Sequence, residues 1–202
     1  MTELVAKLLF YIAVIDPLGS VPVYLEATKK FEEREKKLVA IRACIIAFFI
    51  LIFFIVLGQI ILDGLEVSLD AFQISGGVIL FLFALTMIFG EGKPEAEIHM
   101  IKDYKHVTIF PIAIPSIASP GAIMAVVLGT DNKLYSFTEQ AITTGIVLLV
   151  IVIAMLLLLV ANVVQRRVGE YGITVISKIM GLIIASYAVQ NILTGIKAFF
   201  FS

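Results

Sequence analysis

Six apolar stretches run along the chain, at about 4–28, 38–62, 71–89, 107–130, 141–164 and 173–200. Each is long enough to cross a bilayer as a helix, which takes about 20 apolar residues. The connectors between them are short and polar: "KKFEEREKK", "DGLEVSLD", "EGKPEAEIHMIKDYKH", "DNKLYSF" and "RRVGEYG". A separate soluble domain does not fit in any of them. The pattern therefore predicts an all-α integral membrane protein of six transmembrane helices, with residues 1–202 forming a single membrane domain.

Composition strengthens this reading. Of 202 residues, 60% are hydrophobic and 15% charged, and the mean hydropathy is +1.07, which lies outside the range of soluble domains. The first stretch lacks a basic start and a small-residue cleavage site, and Asp16-Pro17 interrupts it, so it reads as a mature span rather than a signal peptide. The net charge of -1, with basic residues spread over several connectors, gives no reason to expect a nucleic-acid partner. The single cysteine, Cys44, excludes a disulfide framework and reads as a small buried residue.

Charge also orients the chain. The first, third and fifth connectors carry Lys29, Lys30, Arg34, Lys36 and Lys37, then Lys93, Lys102 and Lys105, then Arg166 and Arg167; the opposite side has Lys7, Lys133 and Lys197. The positive-inside rule puts the odd connectors in the cytoplasm and both chain ends outside, in the cell membrane. Arg42 and Lys178 lie close to cytoplasmic span ends, where long side chains snorkel to the interface.

The first span contains "IDPLGSVP" and the fourth "IPSIASP". Pro17 and Pro22 are five apart, as are Pro115 and Pro120, and the second pair follows the first by 98 positions. At a similar shift "FQISGGVILFLF" in the third span resembles "VISKIMGLIIAS" in the sixth. The chain reads as two three-helix repeats, about 1–90 and 107–202, joined by a cytoplasmic connector at 91–106. Because three is odd, the repeats enter the membrane from opposite faces and form an inverted pair. Proline lacks an N–H and clashes with the carbonyl four residues back, so the first and fourth helices are predicted to be broken at Pro17, Pro22, Pro115 and Pro120, leaving carbonyls free. In hydrocarbon such a break persists only where it is buried in protein or lines a wet cavity.

Asp16 sharpens the picture. About twelve residues at ~1.5 Å each place it roughly 18 Å deep, near the bilayer midplane. An acid there costs roughly 2.5 to 3.5 kcal/mol on insertion scales and usually faces a cavity or a partner. Three roles are open: a cap on a half-helix, a contact to a ligand cation, or a proton carrier. Half-helix N-termini suit a carboxylate and half-helix C-termini an ammonium. An amino-acid zwitterion carries both, and the residues at the breaks are small: Gly19, Ser20, Ser116, Ala118, Ser119 and Gly121. Asp16, Gly19, Ser20, Ser116, Ser119 and Gly121 are the candidate substrate-binding residues.

Other polar and small positions have simpler expected roles. Ser75, Gly76, Gly77 and Gly181 suit close helix packing, and Gln73, Gln190, Asn191 and Thr194 suit interhelical hydrogen bonds. The fifth span is almost wholly apolar and is expected to face lipid. His99 and His106 sit among mixed charges, with no metal site expected.

At these residues the chain resembles the MarC family of six-span membrane proteins. "IDPLGSVPVYLEAT", "ISGGVILFLFALTMIFG" and "PIAIPSIASPGAIMAVVLGT" are similar to that family's three main motifs, and the resemblance covers essentially the whole chain. The family includes SnatA-type transporters of small neutral amino acids such as glycine and alanine, and the resemblance implies that activity here. The chain has no P-loop, so a gradient of an ion or solute is the expected energy source, with a proton or sodium ion as coupling partner. No cofactor is expected. The alternative is a small-ion or metal permease using Asp16 as ligand, although one acid without a second carboxylate, His or Cys makes a poor divalent site. Ser20, Ser116 and Ser119 have no intramembrane His or Lys base, so nucleophilic catalysis is not expected.

The orientation is testable with a cysteine at position 34. Arg34→Cys should resist a membrane-impermeant thiol reagent added to intact cells and react after permeabilisation; labelling in intact cells overturns the orientation.

Overall fold

The computed structural model describes residues 2–90 and 104–201. The described residues form helices and no strands: α1 (Thr2–Ile15), α2 (Ser20–Thr28), α3 (Glu33–Gly64), α4 (Leu69–Phe89), α5 (Tyr104–Val107), α6 (Pro120–Gly129), α7 (Phe137–Leu159) and α8 (Ala161–Phe201). Between α5 and α6, Thr108–Ile117 is a wide, irregular coil of π type. Five spans are long and apolar enough to cross a membrane, the first being α1 and α2 together as Glu3–Thr28. Tyr104–Ile117 with Pro120–Gly129, bent by 55°, counts as a sixth when the pair is taken as one broken span. Most of the third connector, with Lys93, His99 and Lys102, lies outside the described residues.

Helix starts follow from local side-chain chemistry. Ser68, Ser119 and Ser136 each accept a hydrogen bond from the N–H three residues on, and Glu32 with Glu35 forms a reciprocal cap at the start of α3. These bonds satisfy N–H groups that a helix leaves unpaired at its first turn. Along α3 the inner face is small and the outer face large: Ala40, Ala43 and Ala47 are fully buried, whereas Phe49, Val56 and Ile60 are more than 60% exposed. That distribution suits lipid outside and close packing inside. Cys44 is buried on the same inner face.

The most extensive helix pairing joins α4 to α8, and glycines permit it. A Cβ on Gly77 would come within 2.6 Å of Ile192 Cγ1 and 2.9 Å of the Ala188 carbonyl. One on Gly195 would come within 2.7 Å of Ile74 Cγ1 and 3.0 Å of the Asp70 carbonyl. Gly181 makes a similar approach to Met87 and Ala84. Gln73 Nε2 adds a hydrogen bond to Asn191 Oδ1 across the same interface, at 3.4 Å, as the polar-glue reading expects. Gly76 instead faces Met124 and Leu128 of α6.

Two expectations are corrected here. The fifth span does not simply face lipid: α7 packs against α3 and α1 and buries Ile146, Val147, Val150, Ile151, Ala154 and Leu158. An apolar sequence has no polar face to mark which side is inward, so composition could not separate lipid from protein. The connector "RRVGEYG" is also not a loop. α7 ends at Leu159, and helical backbone resumes at Ala161 and is interrupted only at Gly169, with φ 73° and ψ 160°, a conformation glycine adopts without strain.

Adding a methyl group at the α4–α8 contact should therefore separate two backbones. Gly77→Ala and Gly195→Ala should each cost about 1–3 kcal/mol, read from unfolding in mixed micelles. Gly145→Ala, whose Cβ meets nothing within 4 Å, should be neutral or gain about 0.5–1 kcal/mol. Equal stability of all three variants would show that the close approach is absent.

Candidate functional site at the two helix breaks

The first break is built by six residues, Ile15 to Ser20. The N–H of Asp16 still donates to Ile12 O at 3.0 Å, so α1 is helical up to that point. Asp16 then adopts φ 47°, a left-handed conformation that a short polar side chain tolerates. Pro17 follows and has no N–H to continue the ladder. The chain restarts when the Ser20 N–H donates to Asp16 O at 3.2 Å. The Asp16 carboxylate accepts the Gly19 N–H at 3.0 Å, so it caps α2. A Cβ on Gly19 would overlap that carboxylate, which is why the cap requires glycine three residues on.

The second break has different local geometry. Phe110 and Ile114 are extended, at φ −130°, ψ 121° and φ −130°, ψ 129°, and each precedes a proline, Pro111 or Pro115. A following proline disfavours helical backbone at just those positions. The Ala118 N–H reaches back to Ala113 O at 2.9 Å, closing the wide turn. Ser119 Oγ then accepts the Ala122 N–H at 3.0 Å, and Pro120 opens α6 at the position where its missing N–H costs nothing.

The two breaks touch. Ser116 Oγ donates to Ser20 Oγ at 3.0 Å, and the Ser20 hydroxyl has two carbonyl acceptors in reach, Asp16 O at 3.1 Å and Ser116 O at 3.3 Å. A third element joins them: Ser177 Oγ of α8 lies 3.3 Å from both carboxylate oxygens of Asp16 and donates to them. Asp16 is 4% exposed, and Ser20, Ser116 and Ser119 are at 1% or below. Among the described residues Asp16 forms no ion pair, so its carboxylate is held by neutral donors only.

Of the residues expected at a site, Asp16, Gly19, Ser20 and Ser116 form one cluster. Ser119 and Gly121 lie at the start of α6, where Ser119 serves as cap. Gly121 faces α4, its Cβ position 3.2 Å from Phe83 and 3.3 Å from Leu80. Pro17 and Pro115 stand inside the breaks. Pro22 does not: it is the third residue of α2, in the first turn, where no helical partner is lost. Pro120 likewise starts a helix. Carbonyls were expected to be free at the breaks; the Asp16 carbonyl accepts the Ser20 N–H, and both it and the Ser116 carbonyl lie within reach of the Ser20 hydroxyl. Ser177 was not singled out from the sequence. His106 is exposed, and the described residues contain no group of three or more His, Cys, Asp or Glu able to hold a metal.

Comparison with known proteins agrees with the motif resemblance. Residues 1–200 match the family model described as "MarC family integral membrane protein". A UPF0056 membrane protein of Methanocaldococcus jannaschii is 34% identical over 190 residues, covering 92% of this chain and 91% of the relative. The UPF0056 inner membrane protein YhgN of Escherichia coli is 29% identical over 203 residues, covering 98% of each. No solved structure matches. With a family match across nearly its whole length and six candidate spans in its fold, the chain is a multi-pass integral membrane protein of the MarC family.

Proposed function

We propose that the chain is a secondary transporter of small neutral amino acids of the glycine and alanine class, in which the two helix breaks form the binding region. The observation that carries this reading is the Ser20–Ser116 contact between the breaks, set beside Asp16, a buried carboxylate with no ion-pair partner among the described residues. A zwitterion offers an ammonium to Asp16 and a carboxylate to the start of α6, where the helix dipole favours negative charge. The residues around the breaks, Gly19, Ser20, Ser116, Ala118, Ser119 and Gly121, are small, which suits a substrate with a small side chain. Entry of substrate would replace the Ser20–Ser116 hydrogen bond. Ser177 positions the carboxylate from α8, so occupancy of the site and the placement of α8 are linked.

The reading is tested by uptake of labelled glycine or alanine into proteoliposomes, competed by a panel of amino acids and of mono- and divalent cations. Saturable uptake blocked by small neutral amino acids is expected; uptake of a metal ion without amino-acid competition favours a permease instead. Asp16→Asn keeps a side-chain oxygen for the Gly19 N–H and removes the charge, so it should insert normally and lose concentrative accumulation. Ser177→Ala should raise KM about tenfold, the value of one hydrogen bond to a charged group. Full, pH-responsive accumulation by the Asn variant would reduce Asp16 to a structural cap.

A further inference from the structure

A second polar cluster surrounds the far end of α6, away from the breaks. Asp131 follows α6 and is 1% exposed. Its Oδ1 accepts the N–H groups of Lys133 at 2.7 Å and Leu134 at 3.2 Å. Its Oδ2 is buried and has no hydrogen-bond partner among the described residues. The same is true of Oγ1 of Thr143 in α7, which is also 1% exposed. A buried, unpartnered hydroxyl is costly and a buried, unpartnered carboxylate oxygen more so, so both atoms call for an explanation.

Contacts place both residues around the end of α6, Asp131 in the loop that follows it and Thr143 on the α7 helix beside it. Thr143 Cγ2 lies 3.6 Å from where a Cβ on Gly129 would stand, and the Tyr11 hydroxyl occupies that position itself, donating to Ala125 O at 3.2 Å. Asp131 is two residues beyond Gly129, within about 7 Å along the chain. Gln140, one turn before Thr143 on α7, clasps the same loop, donating to Asn132 Oδ1 at 2.9 Å and Tyr135 O at 3.0 Å. The loop is thus fixed over the Thr143 face of α7. The local field is negative. The last carbonyls of α6 carry the negative end of its dipole, and burial together with Glu139, Asp131 and Glu3 pushes the Tyr135 hydroxyl up from the ordinary phenol value. The nearby lysines have other partners: Lys133 pairs with Asp63 at 3.5 Å, and Lys7 with Glu3 at 3.7 Å while lying over the Tyr135 ring at 5.2 Å.

We propose that Asp131 Oδ2 and Thr143 Oγ1, with the C-terminal carbonyls of α6, form a binding site for a monovalent alkali cation. One carboxylate balances one positive charge, and hard oxygen ligands suit such an ion. The described residues hold no carboxylate cluster of the kind a divalent ion needs. The sequence repeat supports a role special to this end. Thr28 and Thr130 make the same bond, to the carbonyl four residues back at 2.6 and 2.7 Å, yet the residue that follows is Lys29 in one half and Asp131 in the other.

The site is tested by binding rather than flux, so its failure would leave the transport reading untouched. Purified full-length protein is heated in detergent while NaCl or KCl replaces choline chloride at constant ionic strength. A concentration-dependent rise in the unfolding midpoint with an alkali cation is expected from linkage. Asp131→Asn retains an acceptor for the Lys133 and Leu134 N–H groups and should weaken the apparent affinity at least about tenfold. Thr143→Val is the sharper variant. Removing an unpaired hydroxyl should leave stability in choline equal or higher, so loss of the alkali shift there reads ligation and not damage to the fold. Identical midpoints of the unaltered protein in all three salts, or an alkali shift retained by both variants, would overturn the proposal.

Discussion

Hydrocarbon offers no hydrogen bonds, so every backbone group freed by a broken helix must find a partner inside the protein. This chain breaks two of its spans and satisfies the freed groups through each other. Ser20 reaches the carbonyls of Asp16 and Ser116, Asp16 caps the helix that restarts after it, and Ser119 does the same for α6. The breaks must therefore lie in contact, and the remaining helices hold them there. The small inner face of α3 and the glycines of α4 and α8 bring those helices close enough to enclose the broken pair. Lipid-facing bulk is left to residues such as Phe49, Val56 and Ile60.

The large features were legible because each is a local property. Apolar length gives the spans, and proline beside glycine or serine gives the breaks. Cys44 buried in an apolar run, and interhelical bonding by Gln73 and Asn191, followed from general rules about membrane interiors, whereas Gln190 and Thr194, expected in the same role, bond to each other within α8. What was not legible depends on partners distant in sequence. Ser177 bonds Asp16 across 161 positions, and no spacing rule marks it. The orientation of α7 was hidden for a different reason: a helix apolar on all sides carries no stripe to read. Pro22 misled because proline is tolerated in a first turn as readily as it breaks an interior one, and the choice was made by Pro17, five residues earlier. Gly169 bends a helix that its neighbours, with their high polarity, made look like a loop.

The two halves share their backbone devices and differ in their charges. Both have a proline-bearing break, and both end the following half-helix with a threonine bonded to the carbonyl four residues back. The solvent demands these of any broken span, whichever half carries it. Asp16, by contrast, corresponds to Ile114. Asp16 is buried and Ile114 partly so, and an acid at 114 would add a second carboxylate to the region of the breaks. A second carboxylate there raises the cost of keeping the first ionised, and burying charge without a cation is strongly unfavourable. A single acid at one break keeps the shared frame stable, and in the transport reading proposed above it is the charge that a substrate ammonium would meet.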